Sequence, residues 1–247
     1  MKQRLDKLLF DRGLVPSRER GQALIIAGKI LVDEQKIEKP GASVESDSVI
    51  RMLGEDLRYV SRGGLKLERA LEHWQIDVAG KTCLDVGAST GGFTDCLLQH
   101  GASRVIAIDT GRGQIEAKLR NDSRVKLLEQ TNARYLTREQ LQFGGRADLL
   151  AMDVAFISAT LVLPAVVAAA EPSELVVLVK PQFEVGRERV GSGGIVRDEA
   201  DQTAAVAKVR DTVEQLGGTK IDVIESPITG AEGNREFLLH ALFPAKS

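Results

Sequence analysis

The sequence predicts an α/β protein: a mostly parallel, Rossmann-like sheet covered on both faces, preceded by a small α+β module. Three observations carry this. Residues 82–98 read as a buried strand, a glycine-rich turn and a helix. From residue 62 onward, helical and strand patterns alternate. Residues 1–52 instead read as two short helices and a few short strands.

In the N-terminal module, Leu5, Leu8 and Leu9 stand at helical spacing. A second helix starts at Pro16-Ser17, with Ser17 as N-cap candidate, and stops at Gly28. Lys29–Asp33 and Lys36-Ile37 read as a hairpin, and 44–52 as a further strand. Residues 53–61 are the expected linker and 62–247 the second domain. There a helix is expected over 64–74, and strands near 82–86, 104–109, 125–129, 147–153, 174–180, 219–225 and 235–242. Helix starts are marked by Thr137-x-x-Gln140, Ser158 and Asp198-x-x-Asp201, and Gly217-Gly218 closes the last helix. The final strand follows another after only a short loop, so it is expected to run antiparallel.

The net charge of −2 conceals an uneven distribution. Residues 1–20 carry six basic side chains against three acidic ones, and Arg51, Arg58, Arg62, Lys66 and Arg69 follow. An N-terminal basic excess suits a nucleic-acid contact face, although solvated helix faces would look the same. Cys83 and Cys96 are spaced for neither zinc nor a disulfide framework, and read as core thiols of a reduced cytoplasmic protein. No metal cluster is expected. The charged N-terminus lacks the apolar stretch of a signal peptide, and no apolar run approaches membrane-spanning length, so no membrane partner is expected.

The turn Asp85-Val-Gly87-Ala-Ser89-Thr-Gly91-Gly92-Phe93-Thr94 is informative by what it lacks. A phosphate-binding loop would place Lys after the last glycine, and here Phe93 follows. The dinucleotide pattern Gly-x-Gly-x-x-Gly is absent as well. Asp85 at the strand end suits a cationic amino group, and Asp109, one strand later, suits a ribose diol. A ligand with an ammonium, a ribose and no phosphates fits S-adenosylmethionine.

Three more polar residues stand at strand ends. Asp153 closes 147–153, Lys180 closes an apolar strand, and Glu236 opens the antiparallel one. If those strands are adjacent, the three side chains converge on the ligand edge. A partly buried ion pair would explain them equally well.

Several motifs make the chain resemble the TlyA-type (hemolysin A family) ribosomal RNA ribose methyltransferases. They are Ser61-Arg62-Gly63-Gly64-Leu65-Lys66-Leu67, the loop from Asp85 to Thr94, and Thr131-Asn132-Ala133-Arg134. Further on come Asp153-x-x-Phe156-Ile157-Ser158, Lys180-Pro181-Gln182-Phe183-Glu184, Gly193-Gly194-Ile195-Val196 and Asn234-x-Glu236. Ala155 departs from the pattern, where a serine is expected.

The resemblance implies an RNA-binding domain of the ribosomal-protein-S-four type joined to an FtsJ-like, class I S-adenosylmethionine-dependent methyltransferase domain. It implies a catalytic tetrad of Lys66, Asp153, Lys180 and Glu236; Lys66 enters from the resemblance alone. It places Asp85, Gly87, Ser89, Gly91, Gly92, Phe93, Asp109, Asn132 and Asp153 at the cofactor. It places Arg4, Lys7, Ser17, Arg18, Arg20, Lys29, Lys39 and Arg62 at RNA. The implied reaction is 2′-O-methylation of ribosomal RNA, with Lys180 as general base or hydroxyl-orienter. A base methylase is disfavoured, because Asp153-Val-Ala-Phe156 stands where such enzymes carry an Asn/Asp-Pro-Pro-aromatic run. Two rival functions are a membrane-active hemolysin and a non-catalytic RNA-binding ribosome-associated factor. The sequence stops soon after its last strand, at Ser247, which leans toward the short-tailed type and large-subunit RNA.

Overall fold

A computed structural model describes residues 2–15, 17–53, 58–230 and 233–244. The chain forms two compact units, Met1–Asp56 and Leu57–Ser247.

The first unit holds β1 (Lys2–Arg4), α1 (Leu5–Asp11), α2 (Arg18–Ile26), β2 (Ile30–Val32), β3 (Gln35–Lys36), β4 (Ser43–Glu45) and β5 (Ile50–Met52). Its core is small: Leu5, Leu9, Val15, Ile25, Ile30 and Val32. Ser17 caps α2 by accepting a hydrogen bond from the Arg20 amide at 3.1 Å. The expected strand over 44–52 is two strands. β4 pairs with β1 and β5 with β2, in separate sheets. The polar segment Ser46-Asp47-Ser48 makes the break, with the Ser48 amide turning back to the Glu45 carbonyl.

The second unit has a seven-stranded sheet of β6 (Thr82–Val86), β7 (Arg104–Ile108), β8 (Val125–Leu128), β9 (Leu149–Met152), β10 (Glu174–Val179), β11 (Thr219–Glu225) and β12 (Phe237–Leu242). The spatial order is β11-β12-β10-β9-β6-β7-β8. All strands run parallel except β12, which is antiparallel to both neighbours, as expected. The chain reverses its direction of travel across the sheet at β6 and β9. In such a sheet the crevice beyond the strand ends at this point is where ligands bind.

Strand parity divides the core. Leu84, Val86, Ile106, Ile108, Leu150 and Met152 face α7 (Ala159–Ala170) and α9 (Glu199–Gln215). Cys83, Val105, Ala107, Leu149 and Ala151 face α3 (Gly63–His73) and α4 (Gly92–Gln99). Both cysteines are free, and burial pushes each thiol up to about 12. Residues 58–61, expected as linker, belong to this unit. Tyr59 is 2% exposed and donates to Glu68 at 2.8 Å, while the Val60 amide donates to Asp95 at 2.8 Å. Leu53, also expected as linker, belongs to the first unit, its amide donating to the Lys29 carbonyl at 2.7 Å, and 54–57 lies outside the described residues.

Candidate active site

Beyond the C-terminal ends of β6, β7 and β9 lie two cavities, of about 250 and 480 Å³, that share Gly87, Ser89 and Asp153 as walls. The smaller is lined by Arg62, Lys66 and Phe93 on one side and by Ile228, Thr229 and Gly230 on the other. The larger is lined by Asp109, Gln114, Asn132, Phe156 and Ile157.

The loop from β6 to α4 can form only because two glycines permit it. Gly87 has φ +89°, and a Cβ there would lie 2.2 Å from the Asp153 carbonyl oxygen. β6 and β9 are therefore held at closer range than any side chain allows. Gly91 has φ +99° and caps α4; a Cβ would strike Leu119 and Ile115, so this glycine serves packing and lines neither cavity. Ser89, at φ +49°, donates its amide to Asp109 at 2.8 Å. The second Asp109 oxygen accepts from the Gly111 amide at 2.6 Å. Asp109 is thus fixed at the wall of the larger cavity with lone pairs left for a diol. Asn132 shares that wall and accepts from the Arg134 amide at 3.1 Å.

Asp85 departs from the expected direct ligand. It is 0% exposed and lines neither cavity. Strand parity is the reason: with Cys83 it points under α4 and not past the strand end. One of its oxygens accepts from the Thr94 hydroxyl at 2.6 Å, and the other has no hydrogen-bond partner among the described residues. Burial raises the Asp85 carboxyl to about 7, against the lowering effect of Thr94.

Two cation–carboxylate pairs stand at the sheet edge. Lys180 Nζ lies 2.5 Å from Asp153 Oδ1. Lys66 pairs with Glu236, and both are buried. The pairing follows from the strand order β12-β10-β9. Val179 faces Phe237 in register, which sets Lys180 and Glu236 at adjoining strand ends. A Cβ on Gly230 would lie 2.1 Å from Glu236 Oε1, so the cavity wall at Gly230 closes over this carboxylate. Lys66 was legible only by resemblance, yet it carries a signal of its own. It sits one turn before Ala70 and beside Leu67, on the buried face of α3. A lysine on an apolar helix face must be paired.

Glu184 ends the motif that begins at Lys180, and sequence reasoning assigned it no role. It is 6% exposed, and accepts from the Ser158 hydroxyl and, at 2.6 Å, from the Ala159 amide at the start of α7. Lys208 of α9 lies 3.5 Å away. Glu184 thereby ties the segment after Asp153 to the segment after Lys180. Phe156, 92% exposed with φ +64°, stands at the rim of the larger cavity, its ring centroid 5.5 Å from that of Phe183.

Of the residues expected to face RNA in the first unit, Arg4, Lys7, Arg18, Lys29 and Lys39 are exposed and Arg20 is half-buried. Arg4 and Arg18 both pair with Asp6, and Lys7 lies 3.5 Å from Asp11. Ser17 serves as the N-cap of α2. Arg62, in the second unit, is exposed at the wall of the smaller cavity.

Comparison with known proteins shows the family. The FtsJ-like methyltransferase family matches residues 59–243, and the S4 domain matches residues 3–50. The chain is 46% identical over 238 residues to the 16S/23S rRNA (cytidine-2′-O)-methyltransferase TlyA of Mycobacterium tuberculosis, covering 96% of this chain and 88% of that one. It is 34% identical to the 23S rRNA (cytidine-2′-O)-methyltransferase TlyA of Campylobacter jejuni, over 74% of this chain and 70% of that one. A solved structure from Streptococcus thermophilus that carries a hemolysin name superposes with a TM-score of 0.76 at 40% identity, covering 99% of this chain and 90% of the other.

Proposed function

The chain belongs to the FtsJ-like methyltransferases, and from that premise we propose that it methylates a ribose 2′-oxygen of ribosomal RNA in the cytoplasm. The methyl donor is S-adenosylmethionine, and the cavities fit it. Asp109 offers acceptors to a diol at the wall of the larger cavity, and Gly87 presents backbone and no side chain to the wall that the two cavities share. When bound, this cofactor supplies an electrophilic methyl group on a sulfonium.

The observation that carries the reading is the pair of lysine–carboxylate contacts at one sheet edge, Lys180 with Asp153 and Lys66 with Glu236. A ribose hydroxyl is a weak nucleophile at neutral pH and gains from a positioned base. In this reading Lys180 first releases its own proton to solvent, and the neutral amine then orients the 2′-hydroxyl and takes its proton. Asp153 holds the Lys180 side chain at the shared cavity wall. Glu236 neutralises Lys66 and holds its side chain at the wall of the smaller cavity. Asp109 and Asn132 hold the nucleoside end of the cofactor. Asp85 supports the loop from beneath α4. Arg62 meets RNA phosphate beside the smaller cavity. Large-subunit RNA is the favoured substrate in this reading: 23S rRNA is named alone for the Campylobacter relative, and together with 16S rRNA for the Mycobacterium one.

A base methylase is disfavoured by the strand-end sequence Asp153-Val-Ala-Phe156, which is not an Asn/Asp-Pro-Pro-aromatic run. As for a membrane-active hemolysin, no helix among the described residues is long and apolar enough to cross a membrane.

Lys180→Arg is the test. Arginine keeps the charge but does not deprotonate in proteins. Single-turnover methyl transfer should fall by about 10²–10⁴-fold, the usual cost of losing a general base, with cofactor affinity retained. A near-wild-type rate would leave Lys180 as an ion-pair member only.

A further inference from the structure

The basic face of the first unit contains a buried acid. Asp6 is 0% exposed, in the first turn of α1. Its oxygens accept from Arg4 Nε at 3.0 Å, Arg4 Nη2 at 2.9 Å and Arg18 Nη2 at 3.1 Å. They also accept from Gln22 Nε2 at 2.8 Å and from the Lys7 amide at 2.9 Å. The two arginine side chains remain 56% and 43% exposed. The turn that carries Lys39 lies on the same side. The Asp6 amide donates to Pro40, and a Cβ on Gly41 would lie 3.4 Å from Arg4 Nη1.

Isolated surface arginines sample many rotamers, and a ligand that immobilises them must overcome that entropy. Here one carboxylate grips two guanidinium groups, one at the end of β1 and one in α2, and leaves further N–H donors of each unused by Asp6. The cluster of three groups keeps a net positive charge. Arg4 chiefly, with Gln22, Arg18 and the Lys7 amide, holds the Asp6 carboxyl well below the usual carboxylate range despite its burial. The grip therefore persists at every working pH.

We propose that Asp6 is a positioning residue for RNA: it fixes Arg4 and Arg18 as one preformed phosphate-binding fork. The inference rests on the reading that this unit docks RNA. It makes a prediction opposite in sign to simple charge counting. Removing a negative charge from a polyanion-binding face should tighten binding. If Asp6 acts through the arginines, its removal weakens binding instead.

The experiment uses the full chain and protein-free large-subunit ribosomal RNA as probe. It compares wild type, Asp6→Asn, the Arg4→Ala/Arg18→Ala double variant, and the triple variant combining them. Asp6→Asn should raise Kd about tenfold, the scale of re-ordering two long side chains. Its salt dependence should be shallower by about one to two phosphate contacts. In methyl transfer the loss should appear in KM for RNA and not in kcat. The double arginine variant should also bind weakly, and adding Asp6→Asn to it should cost nothing more. Asp6→Asn binding as tightly as wild type, or tighter, overturns the proposal. So does a further loss in the triple variant, which would mean that Asp6 merely keeps the unit folded. A double arginine variant that binds like wild type overturns the docking reading itself, and the proposal with it.

Discussion

At the residue scale, the carboxylates of the second unit divide by strand parity and position. Asp109, just beyond the end of β7, has both oxygens fixed by backbone amides at a cavity wall. Asp109→Ala should weaken cofactor binding by about 1.5–3 kcal/mol, the cost of hydrogen bonds to a charged group. Calorimetry on the folded variant checks this, and unchanged affinity would remove Asp109 from the cofactor site. Asp85 leads to a different prediction. Its carboxyl is raised to about 7 by burial, so the folded state holds this proton more tightly than the unfolded chain does. Stability from the protonated form is full below the ordinary carboxylate range and is lost as pH rises toward about 7. Cofactor-free Asp85→Asn should therefore gain melting temperature over wild type at about pH 8 and lose most of that advantage near pH 4. Melting curves across this range decide it; a constant difference would contradict the assignment. Asp85 also shows where sequence reading stopped. Its place at a strand end was legible, but whether the side chain points past the edge or under α4 depends on pleat parity. Lys66 was hidden for a related reason. Its partner Glu236 is 170 residues away, and only the helical face it occupies hints at a pairing.

At the element scale, the regular pattern was legible and the short irregular pieces were not. Ser158 and Asp198 cap α7 and α9 where the sequence marks them, and Thr137 with Gln140 forms the expected capping box. These signals are local, since cap and capped amide lie within one turn. The split of 44–52 into β4 and β5 was illegible because each half answers to a partner far along the chain. The tie made by Glu184 is equally non-local. Glu184→Ala should leave the buried Ala159 amide without its acceptor, at a cost of about 1–3 kcal/mol, while the Ser158 hydroxyl keeps Thr160 as a partner. It should lower both the melting temperature and the methyl-transfer rate. An unchanged melting temperature would show that the two loops hold without it. Gly87→Ala tests the close approach of β6 to β9. A Cβ cannot stand 2.2 Å from the Asp153 carbonyl oxygen, so the loop must move. Cofactor binding, read by calorimetry, should be lost; wild-type affinity would mean that the loop adapts freely.

At the scale of the whole molecule, the proposed function divides affinity and chemistry between the two units. Structured RNA is recognised largely through shape and backbone contacts, which a basic docking unit supplies without touching the reacting atoms. A chain of residues 57–247 should bind cofactor as the full chain does and fail to methylate ribosomal RNA at the full-length rate. Equal rates would remove the docking role of the first unit. The proposal that the paired lysines and carboxylates at the β9–β10–β12 edge transfer a methyl group to a ribose oxygen of ribosomal RNA has one most direct measurement. S-adenosylmethionine with a labelled methyl group is supplied to isolated large and small ribosomal subunits, and the RNA is then digested to nucleosides. The predicted result is label in a 2′-O-methylated nucleoside from large-subunit RNA, abolished by Lys180→Ala. Label on a base, or RNA of both subunits left unlabelled by an active cofactor-binding preparation, would contradict it.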